Sequence, residues 1–303
     1  MEPRNKRARL LPSVTLDVLG NDLLLRCASY LDADGLAQLG RTSVRFGTPQ
    51  AGQQRSLANE AARQRFRRSA TDEEMSRLPE YDGESDVGLM RALEQLRQPL
   101  CFDELAGDGF IPQDHPATSV THSGHNIWYS TALSGHVMRG GRHFVEFSIN
   151  YDEQQRSCFH LGVVRPVSLT DGIDLEVDWE GETSPVHVSS NQKPAVAEKL
   201  RSQRTEKWGE STVHCCTCYC GSGRCYWTDW GNEEGSSDWQ GRESLEGGGT
   251  IGLLLDLDEG TLSVFKNDRR LGVMKEGLGG EYCWFATAGT LCTISISRGR
   301  APN

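Results

Sequence analysis

The sequence predicts an α+β multidomain protein, in which a small helical N-terminal region precedes an all-β sandwich. Up to about residue 105, apolar residues recur at the spacing of one helical face. From about Ile111 onward, glycine becomes frequent and short apolar runs are bounded by Gly, Asp, Asn or Pro, a pattern typical of many short strands. With 303 residues, the chain is long enough for both parts to build a core.

The helical region begins with the stretch "NDLLLRCASYL", residues 21–31. Leu23, Leu24, Cys27 and Leu31 fall together on one apolar helical face. Asn21 is predicted to cap this helix, because its side chain can accept a backbone N–H bond. Helical periodicity returns in "SLANEAARQRFRR" and "SDVGLMRALEQLRQPL". These stretches predict a series of short amphipathic helices.

The C-terminal part has the two-residue periodicity of strands. In "RHFVEFSIN", Val145, Phe147 and Ile149 fall on one face. Further short apolar runs are "CFHLGVV", "TIGLLLD", "TLSVFKN" and "CTISIS". The stretch from Pro166 to Gly249 is long and irregular. Its loops are expected at one end or face of the sandwich, where recognition residues often lie.

The acidic stretch "GTIGLLLDLDEGTLSVFKNDRRLG" raises the question of a calcium loop. An EF-hand loop needs glycine at its sixth position and a bidentate carboxylate at its twelfth. Counted from Asp256, the glycine comes fifth, at Gly260, and the twelfth residue is Asn267. The spacing therefore disfavours a calcium site.

The same stretch fits a meander of three strands. Ile251, Leu253 and Leu255 fall on one face. The sequence "DLDEG" supplies a first turn, and Asn267–Asp268 supplies a second, because Asn adopts left-handed backbone geometry with little strain. The pattern predicts three consecutive strands that share a buried face.

The charge is distributed unevenly along the chain. Residues 1–70 hold 12 of the 32 Lys and Arg residues but 6 of the 42 Asp and Glu residues, so the remainder is strongly acidic. This acidity disfavours binding to a phosphate backbone, and we expect no nucleic-acid partner. The short basic run within residues 1–14 is interpreted as a solvated tail, with a nuclear address as the alternative.

The composition also indicates where the protein acts. No apolar run of about 18 residues occurs, so we expect no membrane partner. No apolar signal segment follows the basic start, and the ten cysteines lack the spacing of a small secreted domain. We therefore expect an intracellular protein, cytoplasmic and/or nuclear, with mostly reduced thiols.

Six potential metal ligands crowd into "HCCTCYCGSGRC", residues 214–225. Cys215 and Cys218 have the Cys-x-x-Cys spacing of zinc sites, but no second such pair follows. In the alternative interpretation, two strands joined by Gly221–Ser222–Gly223 form a hairpin whose cysteines pack as small apolar residues. We favour the hairpin and predict no metal site and no cofactor, with a metal or redox thiol left as the alternative.

Signatures of catalysis are missing from the sequence. It contains neither the G-x-S-x-G turn of serine hydrolases nor a phosphate-binding loop. Cys158 and His160 share one strand face, an arrangement that more often serves packing than thiolate chemistry. We therefore expect that the protein is not an enzyme and has no catalytic residues.

Aromatic residues in the predicted loops are candidates for contact with a partner, because Trp, Tyr and Arg dominate interface energetics. Tyr151 and Asp152 lie in one loop, and Trp230 and Trp239 lie in or beside the long loop. The alternative is that these aromatic residues fill the core. We predict that these four residues bind the target.

Several of these stretches resemble SPRY domains. The resemblance is carried by "GGRHFVEFSI", "FHLGVV", "CTISIS" and "GTIGLLLDLDEGTLSVFKNDRRLGVMKEGLGGEYCWFATAG", and it covers roughly residues 113–298. It implies a bent β-sandwich, over residues 113–303, that binds a protein partner through its loops and has no catalytic residues.

The stretch "VLGNDLLLRCASYLDADGLAQLGRTSVRFG" resembles an F-box, although Leu19–Gly20 stands where that motif usually has Leu-Pro. The resemblance implies an F-box-like domain over residues 15–66, followed by a helical linker over 67–112. It also implies docking to the Skp-type adaptor of a cullin–RING ubiquitin ligase. The residues at its apolar docking positions are Leu19, Leu23, Leu24, Leu36, Leu39, Val44 and Phe46.

The two resemblances together imply a substrate-recognition subunit of a cullin–RING ubiquitin ligase, with an adaptor, a cullin and a target of unknown identity as partners. In the alternative, the chain is a protein-interaction scaffold built on a SPRY domain, with no part in ubiquitin transfer. The two differ in whether the helical region binds an adaptor.

Overall fold

The structure, a computed structural model, describes residues 19–50, 52–75, 78, 85–124, 128–151, 158–245 and 249–299. The chain divides into two compact units. We call residues 1–72 and 81–95 the helical unit, and residues 73–80 and 96–303 the β unit. The predicted basic tail lies outside the described residues. No described helix is long and apolar enough to cross a membrane.

Helices occupy most of the described chain before residue 98. Their bounds are α1 (Asn21–Ala28), α2 (Ala33–Thr42), α3 (Val44–Gly47), α4 (Leu57–Ser69), α5 (Asp72–Met75) and α6 (Asp86–Arg97). Within the helical unit, α4 packs against α1, α2 and α3. The start of α6 is joined to the same unit, because the Val87 N–H donates to Asn59 Oδ1 at 3.3 Å and Asp86 pairs with Arg55 at 2.9 Å.

Helix α1 starts differently from the prediction. Its N-cap residue is Gly20, which supplies no side-chain acceptor. The Asn21 side chain instead accepts from Arg45 at 2.9 Å and donates to Gln50 at 2.8 Å. The prediction that Asn21 caps the helix is therefore wrong, because the side chain is used to join α1 to the segment around α3.

The β unit contains two antiparallel sheets. Their strands are β1 (Glu104–Ala106), β2 (Phe110–Pro112), β3 (Ser119–His122), β4 (Ser130–Leu133), β5 (Arg142–Tyr151), β6 (Phe159–Val164), β7 (Cys215–Tyr219), β8 (Arg224–Thr228), β9 (Glu234–Ser237), β10 (Gly249–Asp256), β11 (Thr261–Lys266), β12 (Arg269–Glu276), β13 (Cys283–Ala288) and β14 (Cys292–Ser297). The first sheet has the order β1-β4-β13-β6-β7-β8-β9, and the second has the order β12-β11-β10-β5-β14-β3-β2.

The space between the two sheets is filled by alternate residues of their strands. Val145, Phe147 and Ile149 of β5 belong to the same buried cluster as Leu161 and Val163 of β6. We call this cluster the inter-sheet core. Because residues of both sheets bury one face in it, the predicted all-β sandwich is confirmed.

A second buried cluster involves the long irregular segment between β6 and β7. Trp179, Trp208 and Trp230 pack there with Val164 and Phe285 of the first sheet. The segment includes α7 (Pro194–Ser202) and two 3-10 helices, Pro185–His187 and Glu206–Trp208. We call this cluster the outer core, because it covers part of the outer face of the first sheet. Other side chains occupy the rest of that face.

The three-strand meander is confirmed in detail. Strands β10, β11 and β12 pair in succession, and Ile251, Leu253 and Leu255 are buried in the inter-sheet core. The turn between β11 and β12 has Asn267 at φ 47° and Asp268 at φ 64°. Two consecutive left-handed residues give the turn whose twist matches that of the strands it joins.

Candidate functional site

The register of the first sheet decides which side chains face outward. His160 of β6 lies beside Tyr219 of β7 and Thr287 of β13. The next residue on β6, Leu161, and its neighbour Cys218 belong to the inter-sheet core. Because side chains alternate along strands, His160 and Tyr219 lie on the opposite, outer face.

Five rings meet on this outer face, and we call them the aromatic patch: Tyr129, His160, His187, Tyr219 and Tyr226. The ring of His160 lies 5.6 Å from that of Tyr129, 5.4 Å from His187, 4.9 Å from Tyr219 and 5.9 Å from Tyr226. His160 itself is buried, whereas the other four rings are half-buried. The patch is therefore a layer of partly exposed rings packed around a buried histidine.

Burial keeps His160 neutral. Desolvation, followed by the nearby His187, lowers the pKa of His160 to about 3. Its Nδ1 atom is buried and has no hydrogen-bond partner among the described residues. His187 Nδ1 lies 3.5 Å from Glu182 Oε1. The hydrogen bond between these two side chains is the main cause that lowers the pKa of Glu182. The patch thus combines a neutral imidazole with a carboxylate at its edge.

An acidic pocket with a volume of about 250 Å³ lies on the same unit, and its lining residues are Asp108, Trp128, Ser130, Glu176, Glu180 and Gly181. Its three carboxylate side chains are exposed. The indole of Trp128 is 47% exposed, although large apolar side chains are usually buried in a folded unit. The pocket therefore presents negative charge to solvent beside a half-exposed indole.

The loop that carries Glu176 and Glu180 is held in place by hydrogen bonds of Trp179. The buried Trp179 donates its indole N–H to the carbonyl of Leu169 at 2.9 Å, and its own carbonyl accepts from Lys193 Nζ at 2.6 Å. The Asp174 carbonyl accepts from the N–H of Trp179. These anchors hold the backbone that carries the two carboxylates.

The acidic pocket and the aromatic patch are parts of one surface. Trp128 lines the pocket, and the next residue, Tyr129, belongs to the patch. The carbonyl of Tyr129 accepts from the Thr183 N–H at 2.8 Å, which holds the segment after Gly181 beside the patch. We call the patch and the pocket together the outer surface.

Of the residues predicted to bind the target, the three that the structure describes do not belong to the outer surface. Tyr151 is half-buried and packs edge-on against Phe159, with ring centres 5.0 Å apart. Asp152 lies outside the described residues. The interpretation of Trp230 is corrected by the structure: its side chain is fully buried in the outer core and donates to the carbonyl of Pro185, so it has no surface for a target.

Trp239 is half-buried, and its indole N–H donates to the carbonyl of Gly223 at 2.7 Å. It packs against the inter-sheet core. Both of these contacts lie within the β unit. The exposed part of the Trp239 side chain is available to a partner.

The residues predicted to bind an adaptor differ in how far their side chains are buried. Leu24, Leu36 and Phe46 are buried within the described chain. Leu19 and Leu39 are half-buried. Leu23 and Val44 are 55% and 82% exposed.

Helix α1 and the turn after it have a solvent-facing apolar side. Leu23 and Cys27 are exposed one helical turn apart, and they are followed by the exposed Tyr30 and Leu31. The adjoining part of the helix surface buries Leu24 and Ala28. We call Leu23, Cys27, Tyr30 and Leu31 the helical stripe, and it is apolar surface that the described chain leaves uncovered.

The cysteine-rich stretch forms the favoured hairpin. Strands β7 and β8 pair with Cys218 opposite Cys225, and Cys216, Cys218 and Cys225 are buried in the inter-sheet core. Cys215 points to the other face and belongs to the outer core. Among the described residues, no group of three or more His, Cys, Asp or Glu has a geometry that could hold a metal ion. The thiols pack as small apolar side chains.

Sequence reasoning missed the residues of the outer surface. Trp128 and Tyr129 lie between two short strands, and no periodicity or motif marks them. The acidic run "DLEVDWEGE", residues 174–182, was a local signal. However, its convergence with Asp108 depends on a contact between residues almost 70 positions apart along the chain, which no local pattern reveals.

No protein-family model matches the sequence, and no curated protein matches it. Among solved structures, the SPRY domain of human HERC1 is similar to this chain with a TM-score of 0.44 and 14% identity, covering 66% of this chain and 98% of that one. The TRIM65 PSpry domain gives 0.40 and 13%, covering 67% and 93%. A human SPRY domain gives 0.37 and 11%, covering 64% and 97%.

Proposed function

We propose that this protein is a non-catalytic binding protein whose β unit recognises a target protein through the outer surface. The observation that carries the proposal is the half-exposed aromatic patch, contiguous with a pocket that exposes Trp128. Exposed aromatic clusters on a rigid scaffold supply contact area at low entropic cost. The sequence resemblance to SPRY domains supports the same assignment.

The chemistry of the patch suits binding better than catalysis. A general base works best when its pKa lies near the working pH. The pKa of His160 is about 3, and the imidazole is buried, so it is a weak base with little access to a substrate. Burial also raises the pKa of Cys215 and Cys218, which leaves these thiols protonated and unreactive.

We further propose that the protein is a substrate receptor of a cullin–RING ubiquitin ligase, in which the helical unit docks to a Skp-type adaptor. The helical stripe supports this role, because Leu23 is 55% and Tyr30 is 81% exposed. An amphipathic helix commonly docks its apolar side into a partner's groove. The buried Leu24 would then hold α1 in the helical unit while Leu23 contacts the adaptor.

The test is the affinity of the purified chain for a Skp-type adaptor, measured by surface plasmon resonance. Leu23→Asp introduces a charge into the stripe and is expected to weaken binding by more than about tenfold, since interface anchors contribute about 2 kcal/mol or more. Val177→Asp is the matched control, because Val177 is an exposed apolar residue of the β unit. Undiminished adaptor binding by the Leu23 variant, or no binding by the unaltered chain, would contradict the receptor role.

The scaffold function is the second candidate. Leu24, Leu36 and Phe46, three of the seven residues predicted to face an adaptor, are buried in the structure. An apolar pattern of this kind is also what a self-contained helical unit requires. Failure of the adaptor to bind, with target binding retained, would favour the scaffold.

A further inference from the structure

The hairpin of β7 and β8 brings two thiols into contact inside the β unit. Cys216 Sγ lies 3.8 Å from Cys225 Sγ, and the two groups share a hydrogen bond. Cys218 is the residue directly opposite Cys225 in the register, yet the sulfur that hydrogen-bonds Cys225 is that of Cys216. A disulfide bond is about 2 Å long, so joining these two sulfurs requires an approach of less than about 2 Å.

The two thiols of this pair differ in acidity. Burial, followed by the hydrogen bond with Cys225, raises the pKa of Cys216. The hydrogen bond with Cys216 is the main cause that lowers the pKa of Cys225, and it outweighs burial. The positive charge of Lys275 and a hydrogen bond with Ser237 lower the pKa of Cys225 further. Cys225 is therefore the thiol that ionises first, and a thiolate held near a cation is the form that reacts with oxidants.

Cys225 lies near the edge of the first sheet. The edge strand β9 pairs with β8, and Ser237 of β9 stands opposite Cys225. Ser237 is exposed, whereas Cys225 is buried. Lys275 comes from β12, the edge strand of the second sheet, and its Nζ lies 4.8 Å from the centre of the Trp227 ring. Short edge strands with exposed side chains open more easily than central strands, so a small oxidant reaches Cys225 through a local opening at this edge.

We propose that Cys216 and Cys225 form a reversible disulfide bond when the protein meets a peroxide. The Cys225 thiolate attacks one oxygen of hydrogen peroxide, the O–O bond breaks, and the hydroxide that leaves takes up the proton that Cys225 released. Cys225 then carries a sulfenic acid. The Cys216 sulfur attacks the Cys225 sulfur, the S–O bond breaks, and the hydroxyl group leaves as water with the Cys216 proton. Two thiols thereby lose two electrons and two protons, and the peroxide is reduced to two water molecules.

This modification does not depend on the proposed function, and it is compatible with the packing of the hairpin. Cys216 stays protonated and packed in the reduced protein, because it acts only on a sulfenic acid that has already formed. The same two strands carry Tyr219 and Tyr226 of the aromatic patch on their other face. A bond between the strands therefore restrains the backbone that positions two rings of the patch.

The experiment maps disulfides in the full, reduced chain after exposure to hydrogen peroxide under native conditions. Remaining thiols are blocked with N-ethylmaleimide in urea, and the chain is then digested with trypsin. Cleavage after Lys207, Arg224 and Arg242 separates the two cysteines into peptides 208–224 and 225–242. We expect these peptides to appear as a linked pair, to be joined at Cys216 and Cys225 on fragmentation, and to separate on treatment with dithiothreitol.

Three variants assign the roles of the two thiols. Cys225→Ala should lose the linked pair. Cys216→Ala should also lose it, and dimedone should then trap the sulfenic acid on Cys225. The matched control is Cys218→Ala, since Cys218 is an equally buried thiol directly opposite Cys225, and this variant should keep the linked pair. A thermal melt checks that each variant folds, and the map of the unaltered chain decides the question even where a variant does not.

The peroxide concentration is raised until the exposed Cys27 is oxidised, which shows that the oxidant is active. Absence of the linked pair under these conditions would overturn the proposal. So would a bond from Cys225 to Cys218 or Cys220, a linked pair that forms only in urea, or loss of the pair in folded Cys218→Ala.

Discussion

His160 lies at the centre of the aromatic patch, and its burial controls how this part of the protein responds to acid. Its pKa in the folded protein is about 3, well below the ordinary value of 6.5. Between about pH 3 and pH 6.5, His160 binds a proton in the unfolded chain but not in the folded chain. The stability contributed by the neutral imidazole is therefore complete above about pH 6.5 and is lost as the pH falls towards 3.

The corresponding prediction concerns His160→Phe, which preserves a ring but cannot titrate. Between pH 7 and pH 5, the free energy of unfolding of the unaltered protein should fall by about 2 kcal/mol more than that of the variant. Urea unfolding monitored by tryptophan fluorescence at both pH values measures the difference. The control is His115→Gln, since His115 is exposed. Equal pH dependence of the His160 variant and the unaltered protein would show that His160 is not buried as described.

Trp230 and Trp128 show what sequence reasoning can and cannot establish for single residues. Both are large aromatic residues that lie in segments without strand periodicity. Trp230 is fully buried because α7 and the 3-10 helices pack against the outer face of the first sheet, whereas Trp128 remains half-exposed. Burial of a loop residue depends on contacts between distant segments, which local composition does not encode.

At the scale of elements, helix α1 shows that a correct periodicity does not say which residues of an apolar side are buried. The pattern places Leu23, Leu24 and Cys27 on one broad apolar side, as predicted. Packing against α4 then buries Leu24 and leaves Leu23 and Cys27 exposed. The periodicity predicts that a helix forms, but only its neighbours determine which part of the stripe is covered.

The strands of the β unit were easier to predict, because turn chemistry and alternation agree there. Asn267 and Asp268 mark the turn, and the flanking apolar residues are buried as expected. The order of strands in each sheet was not predictable in this way. Neighbours such as β5 and β14 are far apart in sequence, and their pairing depends on the packing of the whole sandwich.

The hairpin of β7 and β8 carries the second prediction. Burial raises the pKa of Cys215, Cys216, Cys218 and Cys220, so these thiols should resist alkylation in the native protein. Iodoacetamide labelling followed by peptide mass spectrometry should modify the exposed Cys27 first. The four cysteines with raised pKa should be modified only after denaturation.

The same protein in urea is the control for this experiment, since every thiol is then accessible. Rapid native labelling of Cys215, Cys216, Cys218 or Cys220 would contradict the packing role of these cysteines. It would instead favour the redox interpretation, because only an accessible thiolate reacts quickly.

For the whole molecule, the division into two compact units assigns the two proposed binding activities to different parts of the chain. The helical stripe belongs to the helical unit, and the outer surface belongs to the β unit. Neither unit needs to perform chemistry for the protein to act. A chain that binds an adaptor and a target raises the effective concentration of one near the other, and transfer then depends on proximity.

This division predicts that the two activities can be lost independently. Tyr219→Ala with Tyr226→Ala removes two rings of the aromatic patch, and truncation of two such contacts is expected to reduce target capture by at least about tenfold. The same variant should retain adaptor binding. Leu23→Asp should show the reverse pattern, with the adaptor lost and the target retained. Affinity purification with quantitative mass spectrometry from cells measures both partners together.

Under the proposed receptor role, ubiquitination of the captured target requires both activities in one chain, so it provides the decisive comparison. Each variant alone should abolish it, and mixing the two variants should not restore it, since neither chain then holds adaptor and target at once. Restoration by the mixture would mean that the units act in separate molecules. Target ubiquitination that persists in Leu23→Asp would mean that another protein recruits the ligase, and the role of this chain would reduce to target binding by the β unit.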